Sequence, residues 1–196
     1  MNLSWIPNAI TLVRIAAAPA VVFLIWAAGA WSDAYYTAAD FFLVAFAVFS
    51  VACLTDWLDG WLARALNATS SFGAKLDLWA DKIIVAGVLV GFLIGVGELR
   101  VAAIFGLIAL TARDLYIMRL RAAHPDVNLA ATFAAKCKTA VVMTGLALVL
   151  LGFGVSGFTL SVFFAGAALY VIGCLLSLYT GWQYVAAVRQ QQALSS

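Results

Sequence analysis

Four aspartates hold the chemistry that the residue types and spacings of this sequence point to. Asp56 and Asp59 stand three residues apart, and Asp77 and Asp81 stand four apart. On a helix, either spacing places its pair on one face. The stretch between the pairs holds Gly60, Asn67, Ser70, Ser71 and Gly73, so two helices are predicted to return side by side and bring the carboxylates to one spot. Left alone, such a cluster repels itself and is costly to bury even partly. Divalent cations resolve the conflict. Hard oxygen ligands suit Mg²⁺ or Mn²⁺, and Mg²⁺ is commonly held between carboxylates on one side and substrate phosphates on the other. The lone His124 reads as a surface residue. Two other readings fit the same spacing. The acids could pair with Arg64, Lys75 and Lys82 as a salt-bridge network, or they could form the ion site of a carboxylate-lined transporter.

The elements that must place these residues are membrane helices. Of 196 residues, 66% are hydrophobic and only 10% charged, against about 25% charged in a soluble domain. Mean hydropathy is +1.06. This composition excludes a soluble globule, a disordered chain and a coiled coil. Six apolar runs are read at about 9–28, 35–54, 76–97, 101–117, 134–153 and 160–184, each near the ~20 residues a span requires. They are longer than barrel strands and do not alternate in polarity. The expected fold is all-α, a single membrane domain over 1–196. The first run carries Arg14 and Pro19 and has no basic residue before it, so it does not read as a secretory signal. Cys53, Cys137 and Cys174 are scattered and odd in number; they read as small core residues.

Charge placement sets the orientation. Of eleven Lys and Arg residues, ten fall on one side if both termini share it, and only Arg100 falls on the other. The positive-inside rule then puts both termini in the cytosol. The net charge of +2 gives no reason to expect a nucleic-acid partner.

The run from Asp56 to Asp81 also fits a longer pattern, D-x2-D-G-x2-A-R-x8-G-x3-D-x3-D, with Gly60, Ala63, Arg64 and Gly73 at the remaining fixed positions. This is the signature of the CDP-alcohol phosphotransferase family, which the chain resembles. The opening Ile6 to Arg14, with Pro19 after it, and the segments around Arg113-Asp114 and Lys136 to Thr139 are similar to the bacterial members that make phosphatidylglycerophosphate. The resemblance implies six helices around a polar cavity open to the cytosol, in a homodimer of the bacterial inner membrane. It implies that Asp56, Asp59, Asp77 and Asp81 ligate two divalent metals. Asp56, Asp59, Gly60, Ala63, Arg64, Ser70, Gly73 and Asp77 would bind CDP-diacylglycerol, and Asp81 would be the catalytic base. The implied reaction moves the phosphatidyl group to sn-glycerol 3-phosphate and releases CMP. A cardiolipin-forming member, with phosphatidylglycerol as acceptor, is the alternative. Two positions depart from the common pattern: Leu78 where many relatives have Pro, and Asp114 where many phosphatidylglycerophosphate-forming members have Glu.

The residues themselves add a candidate acceptor pocket. Arg64 can fork onto a phosphate; its alternative is a lipid headgroup. Arg113, Lys136 and Lys138 cluster where the fourth and fifth runs meet. Topology alone could explain the lysines, but Arg113 lies within its run, and a phosphate-bearing acceptor accounts for it. Lys136 and Lys138 are two apart, so one is expected to face the cavity and the other to reach lipid phosphate. Asp114 is expected to point elsewhere on the helix than Arg113. Asn8, Thr11 and Arg14 are read as lining the same cavity.

Overall fold

The computed structural model describes residues 5–30, 35–65, 71–123, 133–155 and 159–195, with side chains described at 9–30, 38–55, 79–120, 122–123, 138–155 and 160–190. Within these residues there are six α-helices and no strand: α1 (Trp5–Ala30), α2 (Tyr35–Ala65), α3 (Ser71–Gly95), α4 (Arg100–Ala123), α5 (Phe133–Gly154) and α6 (Thr159–Ser195). A short 3-10 turn, Gly97–Leu99, joins α3 to α4. There the Nε of Arg100 donates to the carbonyl of Leu93 at 3.1 Å and so satisfies one of the exposed carbonyls at the end of α3.

Four helices hold stretches long and apolar enough to cross a membrane: Ala9–Ala30, Ala38–Thr55, Gly97–Leu120 and Leu160–Gln190. The described apolar stretch of α5, Lys138–Gly154, is shorter. Helix ends do not coincide with the ends of the apolar runs. α2 continues past Thr55 to Ala65, about 15 Å further at 1.5 Å per residue. Half of the added segment is Leu, Ala and Arg (two, two and one of its ten residues), which are good helix formers. The helix therefore outlasts the apolar run and carries Asp56 and Asp59 with it.

Small residues set which helices touch most closely. Gly87, Gly91 and Gly95 repeat every fourth residue along α3 and face α1. A Cβ at Gly95 would lie 2.5 Å from the carbonyl oxygen of Ile25, and one at Gly29 would lie 1.7 Å from the carbonyl oxygen of Gly95. In lipid, this near-contact of backbones supplies the packing that the hydrophobic effect does not. α5 and α6 meet in the same way, through Gly145, Gly152, Gly166 and Gly173. α2 packs on α1 and α5, and α4 lies against α3 and α6. The core between them includes Ile25, Phe49, Ile84, Val88, Leu146 and Leu150, all almost fully buried. Large apolar side chains such as Leu12, Leu54, Ile94, Phe105 and Trp182 point outward from α1, α2, α3, α4 and α6. Among the described side chains of α5 there are no exposed large apolar ones, so this part of α5, Lys138–Gly154, turns its large apolar side chains inward.

Candidate active site

The α1–α3 contact decides where Asp81 sits. α3 is held so close to α1 that Asp81 meets Arg14, whose Nη1 lies 3.4 Å from Asp81 Oδ1. The Arg14 side chain is fully buried, and that of Asp81 is 26% exposed. The open side of Asp81 gives onto a cavity of about 480 Å³, within the usual size range of small-ligand sites. Among the described residues its polar lining includes Asp81 and Lys82 of α3, Arg113 and Asp114 of α4, Lys138 of α5 and Ser177 of α6.

Next to Asp81, three cations surround one carboxylate. Lys82 Nζ donates to Asp114 Oδ2. Arg113 Nη1 donates to Asp114 Oδ1 at 2.8 Å, and Lys138 Nζ lies 3.7 Å from the same oxygen. The pairing of Arg113 with Asp114 corrects the expectation that Asp114 points elsewhere. Neighbours in sequence do leave a helix in different directions, but the guanidinium stem is long enough to curl back toward the next residue. Arg113 is fixed from a second side by α6. Its Nε donates to the carbonyl of Ser177 at 3.0 Å and its Nη2 to Thr180 Oγ1 at 2.9 Å.

Several sequence expectations can be placed. Asp81, Arg113 and Lys138 share one cavity wall. Lys82, assigned by the salt-bridge reading to the motif acids, instead pairs with Asp114. Thr11 and Arg14 are buried in α1, and Arg14 reaches the site through Asp81. The backbones of Asp56, Asp59, Gly60, Ala63 and Arg64 lie in α2, and those of Gly73 and Asp77 in α3. Their side chains, with those of Asn8 and Lys136, lie outside the described residues, as does Ser70 altogether. Sequence reasoning missed Ser177 and Thr180. The available signal was two hydroxyls within one turn of an otherwise apolar run; in membrane helices such residues commonly bond across to a neighbour.

This arrangement can bind an anion next to a carboxylate that could hold a cation. Three cations against one carboxylate leave a positive surplus suited to a phosphate group. Of the motif acids, Asp81 alone has a described side chain, and its carboxylate, a hard oxygen donor, opens on the cavity; among the described residues no group of three or more candidate metal ligands comes together.

Comparison with known proteins agrees with this chemistry. The sequence profile of CDP-alcohol phosphatidyltransferases matches residues 4–187. The chain is 30% identical over 188 residues to the CDP-diacylglycerol–glycerol-3-phosphate 3-phosphatidyltransferase of Salmonella choleraesuis (strain SC-B67), covering 94% of each chain. It is 31% identical, with the same coverage, to the protein of that name from Escherichia coli (strain K12). With a profile match over nearly its whole length and relatives of this identity and coverage, the chain belongs to the CDP-alcohol phosphatidyltransferase family.

Proposed function

We propose that this protein transfers the phosphatidyl group of CDP-diacylglycerol to the primary hydroxyl of sn-glycerol 3-phosphate, giving phosphatidylglycerophosphate and CMP. The observation that carries this reading is the shared cavity: Asp81, the last acid of the motif, and the cations Lys82, Arg113 and Lys138 line one space of about 480 Å³. The donor's diphosphate belongs on the acid side and the acceptor's phosphate on the basic side. The names of the relatives from Salmonella and Escherichia coli point the same way.

In this reading Asp56, Asp59, Asp77 and Asp81 hold two divalent cations. Bound there, Mg²⁺ or Mn²⁺ would neutralise diphosphate charge and make the phosphorus more electrophilic. Gly60 and Ala63 leave room for the cytidine, with Ser70 and Gly73 nearby, and Arg64 forks onto a phosphate. Arg113 and Lys138, with Lys82, draw an anionic acceptor toward an anionic donor and fix its phosphate, while Lys136, two residues from Lys138 on the helix, is the one left to reach lipid phosphate. Asp81 takes the proton of the attacking hydroxyl as the new P–O bond forms and the bond to CMP breaks. Arg14 holds Asp81 in place for that step.

The protein is proposed to span the bacterial inner membrane six times, with both termini and the site on the cytosolic side. The charge asymmetry supports this; the homodimer rests on the family resemblance alone. The test is purified protein in lipid nanodiscs with labelled CDP-diacylglycerol and a panel of acceptors. Labelled phosphatidylglycerophosphate with glycerol 3-phosphate, abolished by excess EDTA and restored by Mg²⁺ or Mn²⁺, is the expected result. Cardiolipin from phosphatidylglycerol in its place would reject the acceptor, and full activity in EDTA would reject the metal.

A further inference from the structure

We propose that one turn of α6, Ser177 to Gly181, is a positioning element for the acceptor. It acts by holding Arg113 in a fixed direction, and the inference rests on the reading of Arg113 as an acceptor-phosphate ligand. Two directions are open to Arg113. It sits on α4 between outward-facing Ile108 and Leu115, and a long basic side chain there can run along the helix to the membrane surface. It turns inward instead, and its side chain is only 13% exposed.

α6 is shaped to receive it. Gly181 leaves the lane open: a Cβ there would lie 3.1 Å from Arg113 Nε and 3.3 Å from its Cγ. Past that gap the Ser177 carbonyl accepts from Nε. Thr180 then does what its neighbours in the run cannot. Its hydroxyl has a single hydrogen, which goes to the helix's own carbonyls, Leu176 at 2.9 Å and Ser177 at 3.0 Å. Toward Arg113 it is therefore left to act as an acceptor, and it takes the Nη2 hydrogen at 2.9 Å. Ser177 and Thr180 are 3% and 6% exposed, so water does not readily replace either contact.

A guanidinium has five N–H groups. With Nε bonded to Ser177, Nη2 to Thr180 and Nη1 to Asp114, one N–H remains on each terminal nitrogen among the described contacts. Those two form a fork for an anion in the cavity that Arg113 lines. Without α6, the charge would remain but the direction of the fork would not. Thr180 is thus a positioning residue for acceptor binding rather than a catalytic one.

The test is steady-state kinetics of Thr180→Val, Thr180→Ser, Gly181→Ala and Arg113→Ala in nanodiscs, with both substrates varied. Val keeps the shape of Thr and removes the acceptor oxygen. Thr180→Val is expected to raise KM for glycerol 3-phosphate roughly tenfold, the loss that accompanies one hydrogen bond to a charged group, with KM for CDP-diacylglycerol within twofold. Thr180→Ser, which keeps the oxygen, is expected to restore the wild-type value. Gly181→Ala, which leaves Thr180 intact and crowds the arginine stem, is expected to shift the same KM upward and keeps the test open if Thr180→Val does not fold. If Arg113→Ala raises the acceptor KM while Thr180→Val and Gly181→Ala do not, the α6 role is wrong and the acceptor pocket stands. If none of the three raises it, both readings fall. Equal changes in both KM values would mean that the turn serves only the fold, and would also overturn the proposal.

Discussion

The Arg14–Asp81 pair makes a quantitative prediction that a double-mutant cycle can isolate. Two unit charges 3.4 Å apart attract by ~5 kcal/mol at an effective dielectric constant of about 20. Burying the guanidinium offsets most of that, and a hydrogen bond to a charged group nets about 1.5–3 kcal/mol. The distance is longer than the ~2.7–2.9 Å of a close charge-assisted bond, and Asp81 is partly open to the cavity. Both facts place the pair near the lower figure, about 1.5 kcal/mol. For a chain of this size, that corresponds to about 3–6 °C in Tm. Arg14→Met alone also loses whatever else the buried side chain touches, so the single variant does not measure the pair. Arg14→Met should lower Tm by about 3–6 °C more in the natural chain than in an Asp81→Asn background. Tryptophan fluorescence in nanodiscs can follow the melt, since the chain has seven Trp. EDTA throughout keeps cation binding at Asp81 out of the comparison. A difference below about 1 °C would mean that the pair contributes nothing measurable to the joining of α1 and α3.

Asp81→Asn is expected to bind CDP-diacylglycerol as before while kcat falls about 10²–10⁴-fold, the usual contribution of a general base; equilibrium binding and single-turnover measurements separate the two. A loss under tenfold in folded protein would place the base elsewhere. Gly95→Ala is expected to destabilise the bundle by about 1–3 kcal/mol, because the new Cβ would meet backbone of Ile25 and Trp26 that cannot swing aside. Gly97→Ala, whose Cβ meets nothing within 4 Å, is the control and should melt within about 1 °C of the natural chain. Equal losses in the two variants would refute the α1–α3 contact.

The helices that carry the motif aspartates were legible because helical spacing is a local property. Asp56 with Asp59, and Asp77 with Asp81, needed only 3.6 residues per turn to share a face. The helix that carries the first pair was harder to bound. Apolarity marks where the bilayer ends, whereas Leu, Ala and Arg carry α2 on to Ala65. The partners of Arg113 could not be read from spacing at all. Ser177 and Thr180 lie 64 and 67 residues further along the chain, and only the packing of α4 on α6 brings them to it. Asp114 failed as a prediction for a related reason. Its Cβ direction was fixed by the helix, but a guanidinium several bonds away is placed by its surroundings. The alternative reading that paired Lys82 with the motif acids fails for the same reason: Lys82 spans to Asp114 on α4, 32 residues on.

The inward turn of the described side chains of α5 bears on how the site responds to the thickness of the bilayer. Lys138 rides on a helix with no exposed large apolar side chain among its described residues, whereas Arg113 rides on α4, whose Phe105, Ile108, Leu115 and Tyr116 all face outward. A thicker or thinner hydrocarbon layer acts on helices through their lipid-facing side chains, which tilt or slide to match it. Such a change grips α4 directly and reaches α5 only through its neighbours. Of the three cations around Asp114, Arg113 is therefore mounted on a helix that faces outward and Lys138 on one whose described side chains do not, so a change in hydrocarbon thickness is expected to act on Arg113 more directly than on Lys138.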